Sequence, residues 1–186
     1  LHDSGRRTGL YTSPHVESYL ERMQVLGTKP DEPLILQLAD RVREAVQGLS
    51  ADVVERFGGP NTFELLTLLA FLYFRETGCT DVVVEVGIGG RLDATNLVAP
   101  AACLITPIEL EHTDVLGTTL PAIAAEKAGV IKAGVPVFSA AQAPEVREVL
   151  RAAAAERGSR ILFLDEQLEQ LEVALGGEST EVLLQL

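Results

Sequence analysis

The chain has 186 residues, 47% of them hydrophobic and 23% charged. That is the composition of a folded globular protein long enough for a substantial core, not of a disordered one. A formal net charge of −12 excludes an extended electrostatic grip on nucleic acid or an anionic membrane, so any phosphorylated ligand must be held by local devices such as metal ions and backbone amides.

Apolar residues at three- and four-residue steps (Leu34, Leu38, Val42, Ala45) predict an amphipathic helix over 31–48, with Gly48 as its stop. A glycine-containing loop, Phe57-Gly-Gly-Pro60, follows. Asn61 is placed to cap a second helix over 63–76, with Glu64 completing a capping box. That helix is apolar nearly all round, which predicts deep burial. Residues 82–86 read as a buried strand carrying one carboxylate, Glu85, and running into the turn Gly87-Ile-Gly-Gly-Arg91. A second short strand is expected over 102–106. A helix opened by Thr119 and Pro121 runs through Ala128. Residues 135–139 read as a strand, 144–157 as a helix ended by Gly158, and 161–164 as a strand. Alternation over 171–186 around Gly176-Gly177 suggests a hairpin. Strand–helix–strand repetition implies an α/β fold, a mostly parallel sheet with helices on both faces. No composition shift marks a domain boundary, so residues 1–186 are expected to form a single, partial domain.

Cys79 and Cys103 lack metal-knuckle spacing and point to a reducing, cytoplasmic setting. No apolar run is long enough for a bilayer, and the polar start, Leu1 to Arg7, does not read as a signal peptide. The start at leucine and the end inside an alternating pattern suggest a piece of a longer protein.

Four segments place polar groups where a core does not want them: Tyr11-Thr-Ser-Pro-His15; Glu85 with its glycine turn; residues 106–117, with His112; and Glu126-Lys-Ala-Gly129. A carboxylate buried in an apolar strand is costly unless compensated. At the carboxyl end of a strand in an open α/β sheet it sits where ligands bind. If the strands bearing Glu85 and preceding His112 are neighbours, an oxygen and a nitrogen donor meet at that edge. With the Ser13 hydroxyl they make a sparse set suited to Mg²⁺, whereas zinc would want further nitrogen or sulfur ligands. Read singly, Ser13 is a turn former before Pro14, His112 a surface loop residue, Lys127 a solvated helix residue and Phe63 a core aromatic. The turn is no dinucleotide fingerprint, because that would need a glycine at Leu92.

Taken together, four ordered blocks resemble the Mur ligase superfamily, and within it the folylpolyglutamate and dihydrofolate synthases. They are Tyr11-Thr-Ser-Pro-His15 with Glu21-Arg22; Thr62-Phe-Glu64 with Thr67 and Ala70-Phe71; Glu85-Val-Gly-Ile-Gly-Gly-Arg-Leu-Asp-Ala-Thr-Asn96; and His112-Thr-Asp-Val-Leu-Gly117 with Glu126-Lys-Ala-Gly129. The resemblance implies the superfamily's P-loop-NTPase-like central domain. It also implies an ATP-dependent ligase that turns a substrate carboxylate into an acyl phosphate and joins it to the amine of L-glutamate, with pteroate or folate as the acceptor. ATP and Mg²⁺ are the implied cofactors. By the same resemblance Ser13, Glu85 and His112 are metal ligands. His112 also has a catalytic role, and Lys127 is the lysine carbamylated in the superfamily. Phe63, Arg91 and Asp93 hold the pterin end of the substrate. Two departures stand out. The phosphate loop G-x-x-G-K-[ST] that precedes the first block in the family is not in this sequence, nor is the C-terminal domain, so the chain alone is expected to be inactive. Glu111 stands where the family has aspartate. The alternatives are a Mur-type ligase acting on a cell-wall precursor and a non-catalytic relative.

Overall fold

In the computed structural model, residues 4–167 are described, together with the backbone of 170–175 and 180–185. Backbone contacts divide the chain into two compact units, one of residues 1–87 and 93–97, the other of 88–92 and 98–186. The division passes twice through the glycine turn.

The first unit is built on a three-stranded sheet: β1 (Thr8–Tyr11), β2 (Met23–Val25) and β3 (Asp81–Val84). The order is β2-β1-β3, with β1 antiparallel to β2 and parallel to β3, Tyr11 facing Met23 on one side and Val84 on the other. Neither β1 nor β2 was anticipated from the sequence, since both are too short for a period-two pattern to register. Helix α1 (Glu32–Gln47) follows Asp31 as expected, and α2 (Ala51–Phe57) starts at a Ser50 cap that the sequence reading passed over. Helix α3 (Thr62–Glu76) carries the anticipated capping box: the Asn61 side chain accepts from Glu64 N–H while the Glu64 carboxylate accepts from Asn61 N–H. Its burial is one-sided. Thr67, Ala70, Tyr73 and Phe74 are covered, but Leu68 is exposed, because α1 packs along one flank only. Between the two helices an apolar groove of about 320 Å³ stays open, lined by Val42, Val46, Leu65, Leu66 and Leu69 among others. On α1 it is Ile35, Leu38 and Val42 that are buried, whereas Ala45 is exposed. The core joins Tyr11, Met23, Val25, Ile35, Leu38, Ala70, Tyr73 and Phe74.

Strand β3 is not the buried strand anticipated. Val82 and Val83 are 40% and 47% exposed, because among the described residues β3 pairs only with β1 and forms the edge of its sheet. Glu85 follows the strand and is exposed, so the desolvation penalty expected of a carboxylate in a strand interior does not arise.

In the second unit β4 (Cys103–Ile105), β5 (Val137–Ser139) and β6 (Ile161–Phe163) form an all-parallel sheet in the order β4-β5-β6. Helices α4 (Thr113–Leu116), α5 (Leu120–Ala128), α6 (Pro144–Glu156) and α7 (Leu164–Gln167) belong to this unit. Thr119 caps α5, its hydroxyl accepting from Ala122 N–H. The apolar sides of α5 and α6 pack together with Cys103, Ile105, Val137 and Phe163 in one core. Period two sends the intervening residues to the other face, where Leu104 (78%) and Phe138 (45%), paired in register, are exposed. The helices of this core therefore cover one sheet face. Strands β7 (Gln170–Leu175) and β8 (Thr180–Gln185) pair antiparallel as the anticipated hairpin. Its expected turn at Gly176-Gly177 lies outside the described residues. The expected parallel α/β architecture is what these units show.

Candidate functional site

The ends of β1 and β3 bring the first candidate pair together. Parallel pairing carries on one residue past β3, with Glu85 N–H donating to Tyr11 O at 2.9 Å. The Glu85 carboxylate then accepts from Ser13 N–H through Oε2 at 2.7 Å. Its Oε1 is left without a protein partner among the described residues. The expected neighbour relation between the Glu85 strand and the next strand is not made, since β3 pairs with β1 and β4 with β5. Ser13, rather than His112, is the partner the structure gives Glu85.

Beyond Ser13, whose bond to Pro14 is cis, the chain loops back to β2. Glu21 organises that loop. Its carboxylate accepts from the N–H groups of Val16, Glu17 and Ser18 at 2.9, 3.2 and 2.9 Å. Those bonds, Val16's first, push its pKa down to about 2. Thr12 N–H donates to Arg22 O, and Arg22 Nε to His15 Nδ1, both at 2.9 Å. In the sequence Glu21 and Arg22 are legible only as members of a motif.

Phe63 and Asp93 meet at the glycine turn. A Cβ built on Gly87 would stand 2.5 Å from Phe63 Cζ and 3.0 Å from Asp93 Oδ2, so only glycine allows this approach. Asp93 Oδ2 accepts from Gly87 N–H, and Oδ1 from the N–H and hydroxyl of Thr95. Before it meets any ligand, this carboxylate holds the turn closed. Behind Phe63, its carbonyl accepts from the Thr67 hydroxyl at 2.8 Å. Thr67 has one hydroxyl hydrogen, so the 2.9 Å bond to Tyr11 is donated by the phenol. Burial pushes the Tyr11 pKa up. The Tyr11–Thr67 link was missed because both side chains sit in apolar surroundings where sequence reads them as core.

In the second unit the turn is built differently. Arg91 N–H donates to Glu126 O at 2.9 Å, and its guanidinium embraces the Glu126 carboxylate through Nε and Nη2. A Cβ on Gly129 would fall 2.4 Å from Arg91 Cα. This contact is the physical reason for the Glu126-Lys-Ala-Gly129 block. Arg91 is thus engaged with Glu126, not grouped with Phe63 and Asp93 in their unit. Lys127 Nζ pairs with Glu111 at 2.7 Å, and that bond and charge hold the Glu111 carboxyl below its ordinary value. The longer reach of glutamate is used for this contact. His112 is exposed and takes a left-handed φ of 49° as the N-cap residue of α4, its carbonyl accepting from Val115 and Leu116 N–H. Such a backbone in a non-glycine residue is strained and collects at functional positions. The segment leading to it is clamped by buried Gln142, a residue the sequence did not single out: Oε1 accepts from Ile108 N–H, while Nε2 donates to Thr106 O and Ser139 Oγ.

Among the described residues no three His, Cys, Asp or Glu side chains gather as a metal cluster, and no helix is long and apolar enough to cross a membrane.

No protein-family model matches the chain. It is 40% identical over 152 residues to the dihydrofolate synthase/folylpolyglutamate synthase of Bacillus subtilis, covering 81% of this chain and 35% of that protein. It is 34% identical over 177 residues to the folylpolyglutamate synthase of Lacticaseibacillus casei, covering 95% and 41%. The fold matches a folylpolyglutamate synthase in complex with AMPPCP and folate with a TM-score of 0.89, at 33% identity, over 97% of this chain and 44% of that one. The chain thus spans less than half the length of the relatives it matches. Over the span it covers, the chain belongs to the family of folylpolyglutamate and dihydrofolate synthases, with their Mur ligase fold.

Proposed function

We propose that the protein to which this chain belongs is an ATP-dependent carboxylate–amine ligase, adding L-glutamate to dihydropteroate, to folate or to both through an acyl phosphate. The observation that carries this reading is the convergence of Phe63 and Asp93 on Gly87, on the same unit as the Ser13–Glu85 pair. An aromatic face can stack on a pterin, and a carboxylate can take its amino and ring N–H groups. Arg91, braced by Glu126, is the third residue we assign to the substrate. The similarity to a synthase in complex with AMPPCP and folate supports the same ligands here.

Ser13, Glu85 and His112 are the residues that would hold Mg²⁺. The fit rests on donor chemistry: a carboxylate oxygen with no protein partner, a hydroxyl and an imidazole are few ligands, as suits an ion that keeps waters and phosphate oxygens. When bound, the ion would neutralise phosphate charge during carboxylate activation. Glu85 is held in place by Ser13 N–H, so its position does not depend on a ligand. Lys127 stands as an ammonium paired with Glu111. Carbamylation would reverse its charge and break that pair. His112 and Lys127 are proposed as catalytic. Two free cysteines fit a cytoplasmic setting.

The test is a coupled assay on the full-length protein with ATP, glutamate and pteroate substrates, which should release ADP only when all three are present. Absence of substrate-dependent ADP overturns the ligase reading. ADP release with a muramyl nucleotide but not with pteroate moves the substrate to the cell-wall branch.

A further inference from the structure

Arg22 is a half-buried cation with no carboxylate within ion-pair distance among the described residues. Its neighbour Glu21 is turned away, its oxygens taken by the N–H groups of residues 16–18 and by Lys29 at 3.5 Å. The Arg22 side chain donates from Nε to His15 Nδ1. A guanidinium only donates, so Nδ1 supplies a lone pair, and in the neutral ring the proton stands on Nε2. The imidazole is also held by Tyr19, ring centroids 4.4 Å apart. On the other side the guanidinium hydrogen-bonds the buried Tyr11 hydroxyl, whose oxygen accepts while its own proton goes to Thr67. Neither the imidazole nor the phenol carries a negative charge, so neither supplies the guanidinium with a counter-ion.

Three features therefore coincide two to nine residues after Ser13. A planar fork of N–H donors has no anion. An imidazole is fixed as an Nε2–H donor. A backbone loop is locked by Glu21, so the two need not be ordered on binding. A partly desolvated cation without a counter-charge is unfavourable, and a bound oxyanion would relieve it. In a chain of net charge −12, long-range attraction of anions is absent, so a local device is required.

We propose that Arg22 and His15 form an oxyanion-binding pair, taking a carboxylate or phosphate group through the guanidinium fork and the imidazole Nε2–H. Arg22 also acts as a positioning residue for His15 by fixing its tautomer. The pair stands on unit-one geometry alone. It rests on the ligase reading only where the anion is named as the pteroate carboxylate.

The experiment uses the 186-residue chain labelled with ¹⁵N at arginine and histidine, observed by NMR, and titrated separately with inorganic phosphate and with pteroate. The wild-type His15 ring should show a pyridine-type Nδ1 and a pyrrole-type Nε2, and Arg22 Nε and His15 Nε2 should shift with at least one probe. R22K should lose the tautomer signature and weaken that probe by about tenfold or more, as expected for loss of a charged, forked contact. H15Q should weaken it less, and both variants should keep the amide spectrum of the fold. Shifts with phosphate but not pteroate support the pair and count against the pteroate assignment. Pteroate binding equally to wild type and R22K, with Arg22 Nε unmoved, overturns the pair while leaving the folate reading intact. Neither probe moving either signal overturns the pair outright.

Discussion

Replacing Gly87 by alanine tests the packing that unites Phe63 and Asp93. The backbone of Gly87 does not have a positive φ, so the substitution brings no conformational strain of that kind. The added methyl would stand 2.5 and 2.9 Å from two atoms of the Phe63 ring and 3.0 Å from Asp93 Oδ2. Overpacking of this sort costs about 1–3 kcal/mol, while restricting the unfolded chain returns about 0.4–1 kcal/mol, so the net loss centres on about 1–2 kcal/mol. For a chain of this size that is a fall in Tm of roughly 2–8 °C. The assay is thermal unfolding of wild type, G87A, F63L and the double variant. Leucine lacks the ring tip that the methyl would strike, so G87A should cost at least about 1 kcal/mol less in the F63L background. A G87A protein that melts like wild type, or one that loses the same amount with and without the ring, refutes the contact.

Three further outcomes follow from other contacts. Q142L strands Ile108 N–H and Thr106 O and should lower stability by about 2–3 kcal/mol in urea unfolding, as buried unpaired groups do. Glu21 has a folded pKa of about 2 against an ordinary 4.5, so its stabilisation is complete above pH 4.5 and disappears as the pH falls from there to about 2. Unfolding followed across that window should show a shallower pH dependence in E21Q than in wild type. In the second unit R91A should cost under about 1 kcal/mol, because the Arg91–Glu126 pair is substantially exposed. G129A should cost more, at the upper end of about 1–3 kcal/mol, because its methyl meets backbone that cannot rotate away. Equal melting of the two variants would refute that ranking.

What the sequence revealed and what it hid divide along physical lines. Helices with local signals were legible: Asn61 with Glu64, Thr119 with Pro121 and the α1 periodicity all report on contacts within four residues. Exposure was not legible. Val82 and Val83 read as buried because a valine run is what a central strand looks like, and only pairing reveals an edge. Candidate residues were legible as motif members, but their partners were not. Ser13 and Glu85 are 72 residues apart in sequence and Tyr11 and Thr67 are 56 apart, distances over which no spacing rule operates. Gln142 was overlooked because a glutamine between alanines carries no periodic signal, although two of its three hydrogen bonds reach back to a loop 34 and 36 residues earlier.

The block running from Glu85 to Asn96 is specific because it serves two structural units within a dozen residues. Glu85, Gly87 and Asp93 to Asn96 belong to the first unit, and 88–92 to the second. In the first, Gly87 lacks a side chain so that Phe63 and Asp93 can close on it, and Asp93 then ties the far side of the turn back to Gly87 N–H. In the second, Arg91 lies against Gly129 and takes Glu126 with both its backbone and its guanidinium. Each position therefore answers to a partner from a different part of the chain. Substitution at any one of them breaks a contact that the others cannot replace. A sequence that only needed a flexible turn here would be free to vary. This one is constrained at Glu85, Gly87, Arg91 and Asp93, each by a separate contact.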